Sequence, residues 1–308
     1  MMRSFFLHLS ESRRLREMMM HFGPAWAMAR RFVAGEKLEE AIAAVRTLNQ
    51  QGLLVTLDHL GENVTSETEA RDATTEALDL LDAIDAGGLR SGISVKLTQM
   101  GLDLSPALAI DNVARIVSRA AEADRFVRID MEGFEYVQPT LDLFEGLWAH
   151  HKNTGVVIQS YLYRSADDVA RLVEMGAPVR LVKGAYDEPA DVAYPEKADV
   201  DANFIRLMEQ LFSEKARANG VVPAIATHDT KLIDWARQHT HDQGIPPKEF
   251  EFQMLYGIRT GLQRQLAAEG YRVRTYVPYG SQWYPYLVRR LAERPANLFF
   301  FLRNLFRS

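Results

Sequence analysis

From about residue 50 onward the sequence repeats one pattern eight times, a short apolar, β-branched run followed by a stretch with helical spacing. The short runs fall at 53–58, 93–97, 126–131, 156–161, 179–182, 224–227, 250–254 and 274–277. Their length and their enrichment in Val, Ile and Leu fit strands buried on both faces. Between them, segments 65–85, 111–123, 140–150, 166–175, 201–219, 231–239 and 260–269 carry apolar residues three and four apart. In 201–219, Phe204, Ile205, Leu207, Met208, Leu211 and Phe212 make one broad apolar face. Ser66 and Glu69 have capping-box spacing, Ser165 is the expected N-cap of the fourth helix, and Gly176, Gly220 and Gly270 are stop signals. Strict alternation of strand and helix requires parallel strands joined by crossover helices. Eight such units in roughly 250 residues predict an α/β fold, a closed and distorted (β/α)8 barrel. An open doubly wound sheet is the alternative, but no Gly-x-Gly-x-x-Gly follows any strand. Residues 1–50 read as an N-terminal helical leader and 51–308 as the barrel domain with C-terminal helices. No low-complexity linker divides them. The longest irregular stretch, 187–199, is rich in Pro, Asp and Glu and is a candidate lid.

Composition removes whole classes of function. The net charge of −5 argues against a nucleic-acid binder. With no cysteine, disulfides, thiolate zinc sites, iron–sulfur clusters and a cysteine nucleophile are excluded. No apolar run is long enough to span a bilayer, and the apolar stretch in 1–10 is too short for a signal peptide. Segment 18–32, with Met, Phe and Trp beside Arg30 and Arg31, and the Phe-rich tail 298–306 are candidates for contact with a membrane surface. Packing on the domain is the commoner use of such segments.

In a barrel of this kind chemistry gathers at the C-terminal ends of the strands. Those ends carry Asp58-His59, Lys96, Asp130 with Glu132, Gln159, Lys183, Thr227-His228, Gln253, and Tyr276 with Tyr279. Lys96, Asp130 and Gln159 interrupt apolar runs, and a charge buried there needs a partner or a ligand. Beyond the last strand, Arg289 and Arg290 set two permanent cations side by side, a geometry suited to a carboxylate or phosphate. Each residue also has an ordinary structural reading: Asp130 with Lys96 as an inter-strand ion pair, Arg180 and Lys183 as rim charges, the arginine pair as a solvated helix face. Taken together, Lys96, Arg180, Lys183, Arg289 and Arg290 give the ring a positive bias that suits an acidic cofactor plus an acidic substrate.

Four ordered motifs, Arg180-Leu-Val-Lys-Gly-Ala-Tyr186, Ala226-Thr-His228, Glu251-Phe-Gln-Met-Leu-Tyr-Gly257 and Tyr286-Leu-Val-Arg-Arg-Leu-Ala-Glu293, closely resemble those of the proline dehydrogenase family, in its monofunctional bacterial type. The resemblance runs from about residue 53 to about residue 297. It implies an FAD enzyme that oxidises L-proline to Δ1-pyrroline-5-carboxylate and passes electrons to a membrane quinone. It also implies a cytoplasmic location, with peripheral contact to the inner face of the membrane as an option. By this resemblance Arg289 and Arg290 grip the proline carboxylate, Lys96 is the substrate lysine, and Tyr276 and Tyr286 wall the proline ring. Asp130 and Arg180 fall on catalytic positions, Arg180 near the flavin N5. Met131, Gln159, Val182, Lys183, Gly184, Ala185, Thr227 and His228 fall on flavin contacts, and Glu293 on the partner of an arginine. The chain departs from the family pattern at Asp187, where many members have Trp, and at Asp229, where many have Asn. The competing readings are a Schiff-base aldolase using Lys183, a metal-dependent hydrolase using His59, His228 and Asp130, and a carboxylate-binding or membrane-peripheral scaffold.

Overall fold

The computed structural model describes residue 26 and residues 29–292, the last four by their backbone alone. Helix α1 (Leu38–Gln50) leads into eight parallel strands: β1 (Leu54–His59), β2 (Ser91–Val95), β3 (Val127–Ile129), β4 (Thr154–Gln159), β5 (Val179–Val182), β6 (Ala224–Ala226), β7 (Glu251–Leu255) and β8 (Arg272–Tyr279). The helices between them are α2 (Glu67–Ala86), α3 (Pro106–Glu122), α4 (Phe134–Trp148), α5 (Ser165–Glu174), α6 (Lys197–Phe212), α7 (Glu214–Ala218), α8 (Thr230–Asp242) and α9 (Thr260–Ala268), and α10 (Trp283–Ala292) follows β8. The strands pair in chain order and β8 returns to β1 in register from Leu54↔Arg274 to His59↔Tyr279, so the barrel is closed. The open-sheet alternative falls with that pairing. No helix among the described residues is long and apolar enough to cross a membrane.

The core fills the space between strands and helices. Phe144, Phe204, Leu80, Leu81 and Ile84 are buried there, and α1 buries Ala41, Ile42, Val45 and Leu48 in the same core. The barrel interior is different. Period-two alternation and the pairing register put Asp58, Ser94, Arg128, Gln159, Arg180, Glu251, Gln253, Arg274 and Tyr276 on the inward face. At the lower level, Arg274 donates to both oxygens of Glu251, at 2.8 and 3.1 Å, and to the Val55 carbonyl at 2.8 Å. Arg128 donates to the carbonyls of Val156 and Pro178. It fits because residue 155 is glycine, where a Cβ would lie 2.5 Å from the Arg128 guanidinium.

This interior ion pair has a pH signature. Burial opposes the charge of Glu251, but Arg274, Arg272 and Gln253 outweigh it and hold the carboxyl down at about 2, against an ordinary value of 4.5. A depressed carboxylate stabilises the fold above its unfolded value and loses that contribution as pH falls through the folded one. About 3 kcal/mol is therefore expected to vanish between pH 4.5 and 2. Urea unfolding of the native chain should weaken steeply over that window. In Glu251→Gln the slope should flatten, and equal slopes in the two proteins would refute the assignment.

Several elements differ from the sequence expectation for local reasons. Strands β2 and β3 end two residues early, at Val95 and Ile129, so Lys96 and Asp130 lie one residue beyond their strands rather than inside them. Strand β4 is shifted two residues towards the N-terminus and ends on Gln159. Helix α3 starts at Pro106 because Ser105 caps it, accepting from the Leu108 N–H, and proline suits a first helical position. The expected helix 201–219 breaks at Ser213, whose side chain caps α7. Ser165 is the first residue of α5, not its cap; its hydroxyl donates back to the Gln159 and Leu162 carbonyls. The candidate lid is pinned rather than loose. Leu162 and Ala193 form an isolated antiparallel bridge, and Glu188 accepts from the Phe134 N–H at 2.8 Å and the Tyr161 hydroxyl at 3.3 Å.

Candidate active site

A cavity of about 960 Å³ opens at the C-terminal end of the barrel. Lys96, Asp130, Met131, Gln159, Arg180, Val182, Lys183, Gly184, Ala185, Thr227, His228, Tyr276 and Tyr286 all line it. These are all of the expected site residues whose side chains are described. Arg289 and Arg290 lie in α10 three and four residues after Tyr286, one turn on and on the same side of the helix. Their side chains, and the whole of Glu293, lie outside the described residues.

At the centre is a buried hydrogen-bonded charge network. Asp130 accepts from Arg180 Nη1 at 2.7 Å, from the Tyr276 hydroxyl at 2.8 Å and from Ser94 Oγ at 2.9 Å. Lys96 Nζ lies 3.7 Å from Asp130 but binds both oxygens of Asp58, at 2.9 and 3.0 Å. The Arg180 guanidinium also stands 5.3 Å from the centre of the Tyr276 ring. Burial opposes ionisation of Asp130, yet Arg180 and Lys96 hold its carboxyl below the usual range. Burial likewise works against the Lys96 charge, and Asp58, Asp130 and Glu62 together raise its pKa above normal. Burial pushes the Tyr276 phenol well up, so it stays a hydrogen-bond donor.

A second network sits at the wall of the cavity. Lys183 Nζ binds Asp229 at 2.9 Å and Asp201 at 2.5 Å, and Lys197 approaches the same two carboxylates. Asp229 also caps α8, accepting from the Lys231 N–H. His228 Nε2 accepts from the Leu255 N–H at 3.0 Å.

Two expectations change. The positive bias read from Lys96, Arg180 and Lys183 is offset by Asp58, Asp130, Asp201 and Asp229, each within ion-pair distance. The metal-hydrolase reading lacks its cluster: His59 pairs with Glu76 at 2.8 Å, and among the described residues no group of three or more His, Asp or Glu is arranged to hold a metal ion. Sequence reasoning also left Asp58, Ser94, Asp201 and Glu132 without a role. Burial pushes Glu132 up to about 7, against the hydrogen bonds it accepts from Thr98, and its backbone carbonyl accepts from Gln159. The alternation Thr56-Leu57-Asp58 was the available signal for Asp58: it puts the carboxylate on the inward face.

The cavity has features that fit a large polar ligand. Gln159 Oε1 and Arg180 Nε are buried with no hydrogen-bond partner among the described residues, which leaves an acceptor and a donor in the wall for a ligand. Next to them the backbone turns at Gly184 with φ +114, where a Cβ would strike the Tyr161 ring at 2.5 Å. The Tyr161 ring and the positive φ thus require glycine there, and Gly184 borders the cavity with main chain alone.

The family described as Proline dehydrogenase matches residues 41–303. Over 309 residues the chain is 43% identical to proline dehydrogenase 1 of Bacillus subtilis (strain 168), covering 100% of both chains. It is 43% identical over 288 residues to proline dehydrogenase of Deinococcus radiodurans, covering 92% of this chain and 91% of that one. A crystal structure of proline utilization A (PutA) from Bdellovibrio bacteriovorus, inactivated by N-propargylglycine, matches with a TM-score of 0.82 at 29% identity. That match covers 89% of this chain and 33% of the other, so the chain spans about a third of the longer protein.

Proposed function

The chain belongs to the proline dehydrogenase family, of the monofunctional type matched end to end by the Bacillus subtilis protein, and we propose that it oxidises L-proline to Δ1-pyrroline-5-carboxylate with FAD as cofactor and a quinone as electron acceptor. The observation that carries this reading is the convergence on one cavity of every expected site residue with a described side chain. FAD bound in that cavity would supply the hydride acceptor. The unsatisfied Gln159 Oε1 and Arg180 Nε, together with the main chain at Lys183, Gly184 and Ala185, are the groups that would hold it, with Met131, Val182, Thr227 and His228 completing the wall.

The chain's own residues then have distinct tasks. Arg289 and Arg290 grip the substrate carboxylate, and Lys96, kept charged by Asp58, adds a third cation nearby. Tyr276 and Tyr286 bound the ring and exclude bulkier amino acids. Asp130 holds Arg180, Tyr276 and Lys96 in one arrangement, so that no buried cation is left unpaired. Pre-orientation of a small anion against a fixed neighbour lowers the entropic part of the barrier. Glu293 is proposed as the partner of one of the arginines. The division into a leader over 1–50 and a barrel domain over 51–308 is likewise a proposal, as are a cytoplasmic location and membrane contact through segments 18–32 and 298–306.

The test is the visible spectrum of the purified protein. Flavin bands should be present or appear on reconstitution with FAD, bleach on anaerobic addition of L-proline, and return when a short-chain quinone is added. A protein that takes up no flavin, or whose flavin L-proline leaves oxidised, would sink the reading. The aldolase alternative predicts instead that borohydride traps a carbonyl compound on Lys183. The geometry disfavours it, since the Lys183 nitrogen is engaged by two carboxylates.

A further inference from the structure

The described part of the segment before α1 packs on the connection from β8 into α10. Trp283, the first residue of α10, is 0% exposed, and its indole Nε1 donates to Glu36 Oε1 at 3.0 Å. The Trp26 ring lies against it, with centroids 5.1 Å apart and planes at 41°. Two main-chain hydrogen bonds flank this contact: Gly280 N–H to the Gly35 carbonyl and Ala34 N–H to the Pro278 carbonyl, both 2.9 Å. Glu36 is itself held in place. The Glu40 carboxylate accepts from the N–H of Glu36 at 3.0 Å and of Lys37 at 3.3 Å, and Arg30 donates to its other oxygen at 3.1 Å. The loop after β7 presses on the same segment. Gly257, at φ +73, runs so close that a Cβ would come within 1.7 Å of the Arg31 carbonyl oxygen.

We propose that Glu36 and Trp283 form a brace through which the pre-barrel segment sets the position of α10, making Glu36 a positioning residue for the substrate carboxylate. The inference rests on the proline-oxidising reading above. Residue 290 lies seven positions beyond Trp283, two helical turns and roughly 10 Å along the axis on the same face. Tyr286, which lines the cavity, lies between them. A hydrogen bond fixed at the first residue of a short helix therefore controls where its distal face meets a ligand. Displacement of a carboxylate clamp by about an ångström costs up to a hundredfold in rate or affinity. Glu36 does this without touching substrate or cofactor.

The experiment compares Glu36→Ala, Glu36→Gln, Trp283→Phe and the Glu36→Ala/Trp283→Phe double variant in the full chain. Hydrogen exchange comes first and needs no turnover. Amides of α10 should exchange faster in Glu36→Ala, while those of β1 to β6 keep native protection. In steady state the KM for L-proline should rise about tenfold in Glu36→Ala and in Trp283→Phe, with kcat within about twofold and flavin content unchanged. Glu36→Gln keeps an acceptor oxygen and should restore a near-native KM. The double variant should be no worse than either single one. Native exchange in α10, or an unchanged KM in both single variants, overturns the brace, as does a Gln variant as impaired as Ala. A native chain inert towards L-proline would instead sink the functional reading, and the exchange experiment would still decide the brace.

Discussion

Replacing Arg289 or Arg290 by methionine is expected to raise the KM for L-proline by roughly thirtyfold to several-thousandfold while flavin stays bound. Truncating one partner of a buried, hydrogen-bonded charge pair costs about 2–5 kcal/mol, which is that range of fold-change. The other cations of the site are already paired. Lys96, Arg180 and Lys183 face Asp58, Asp130, Asp201 and Asp229, so most of the charge for an incoming carboxylate has to come from elsewhere on the rim. The proposed source is helix α10: Tyr286 lines the cavity, and positions 289 and 290 follow one turn on. Methionine keeps an unbranched apolar stem like the aliphatic part of arginine and removes the planar cation. The measurement is steady-state kinetics with flavin content determined on the same samples. Native KM values in both variants would exclude the pair as the carboxylate clamp.

The second large effect is expected from Asp130→Ala. One carboxylate there accepts from Arg180, Tyr276 and Ser94 and lies 3.7 Å from Lys96. Arg180 is only 4% exposed, so its charge has no solvent to fall back on. Removing one member of such a buried network strands the other, at a cost of about 3–5 kcal/mol of folding stability. Urea unfolding followed by circular dichroism should show that loss. Asp130→Asn should fall between, because it keeps an acceptor for Tyr276 and loses the charge facing Arg180. An Asp130→Ala protein within about 1 kcal/mol of native stability would mean that water relieves the network and that the site is wetter than its burial implies.

Much of this molecule was legible before the structure. Eight short apolar runs separated by helical periods predicted a closed barrel, because buried parallel strands need crossover helices and eight units close a ring. The polar residues at the strand ends were legible for the same reason: Lys96, Asp130 and Gln159 stand where an apolar residue would otherwise continue the run. Strand ends were displaced by one or two residues, and the break at Ser213 went unseen. Both depend on hydrogen bonds made locally by single hydroxyls and on strand pairing, not on periodicity. The role of Glu36 was invisible, since nothing in 283–293 says which distant acceptor an indole N–H will find.

The amino-acid sequence by itself determined the barrel, the set of side chains at its mouth and the arginine pair beyond the last strand. Only the tertiary structure decided which charges answer which. Lys96 was open to pairing with Asp130, thirty-four positions on in the chain; its shortest contacts are with Asp58, and Asp130 goes chiefly to Arg180. Charge–charge energy depends on separation and on local dielectric. Here both are set by barrel closure, which brings β1 beside β2 and β8 in a register that the order of residues along the chain does not specify. A ring that reads as positive in sequence is therefore largely balanced once folded, which is why the proposed anion clamp is placed on the helix after the eighth strand.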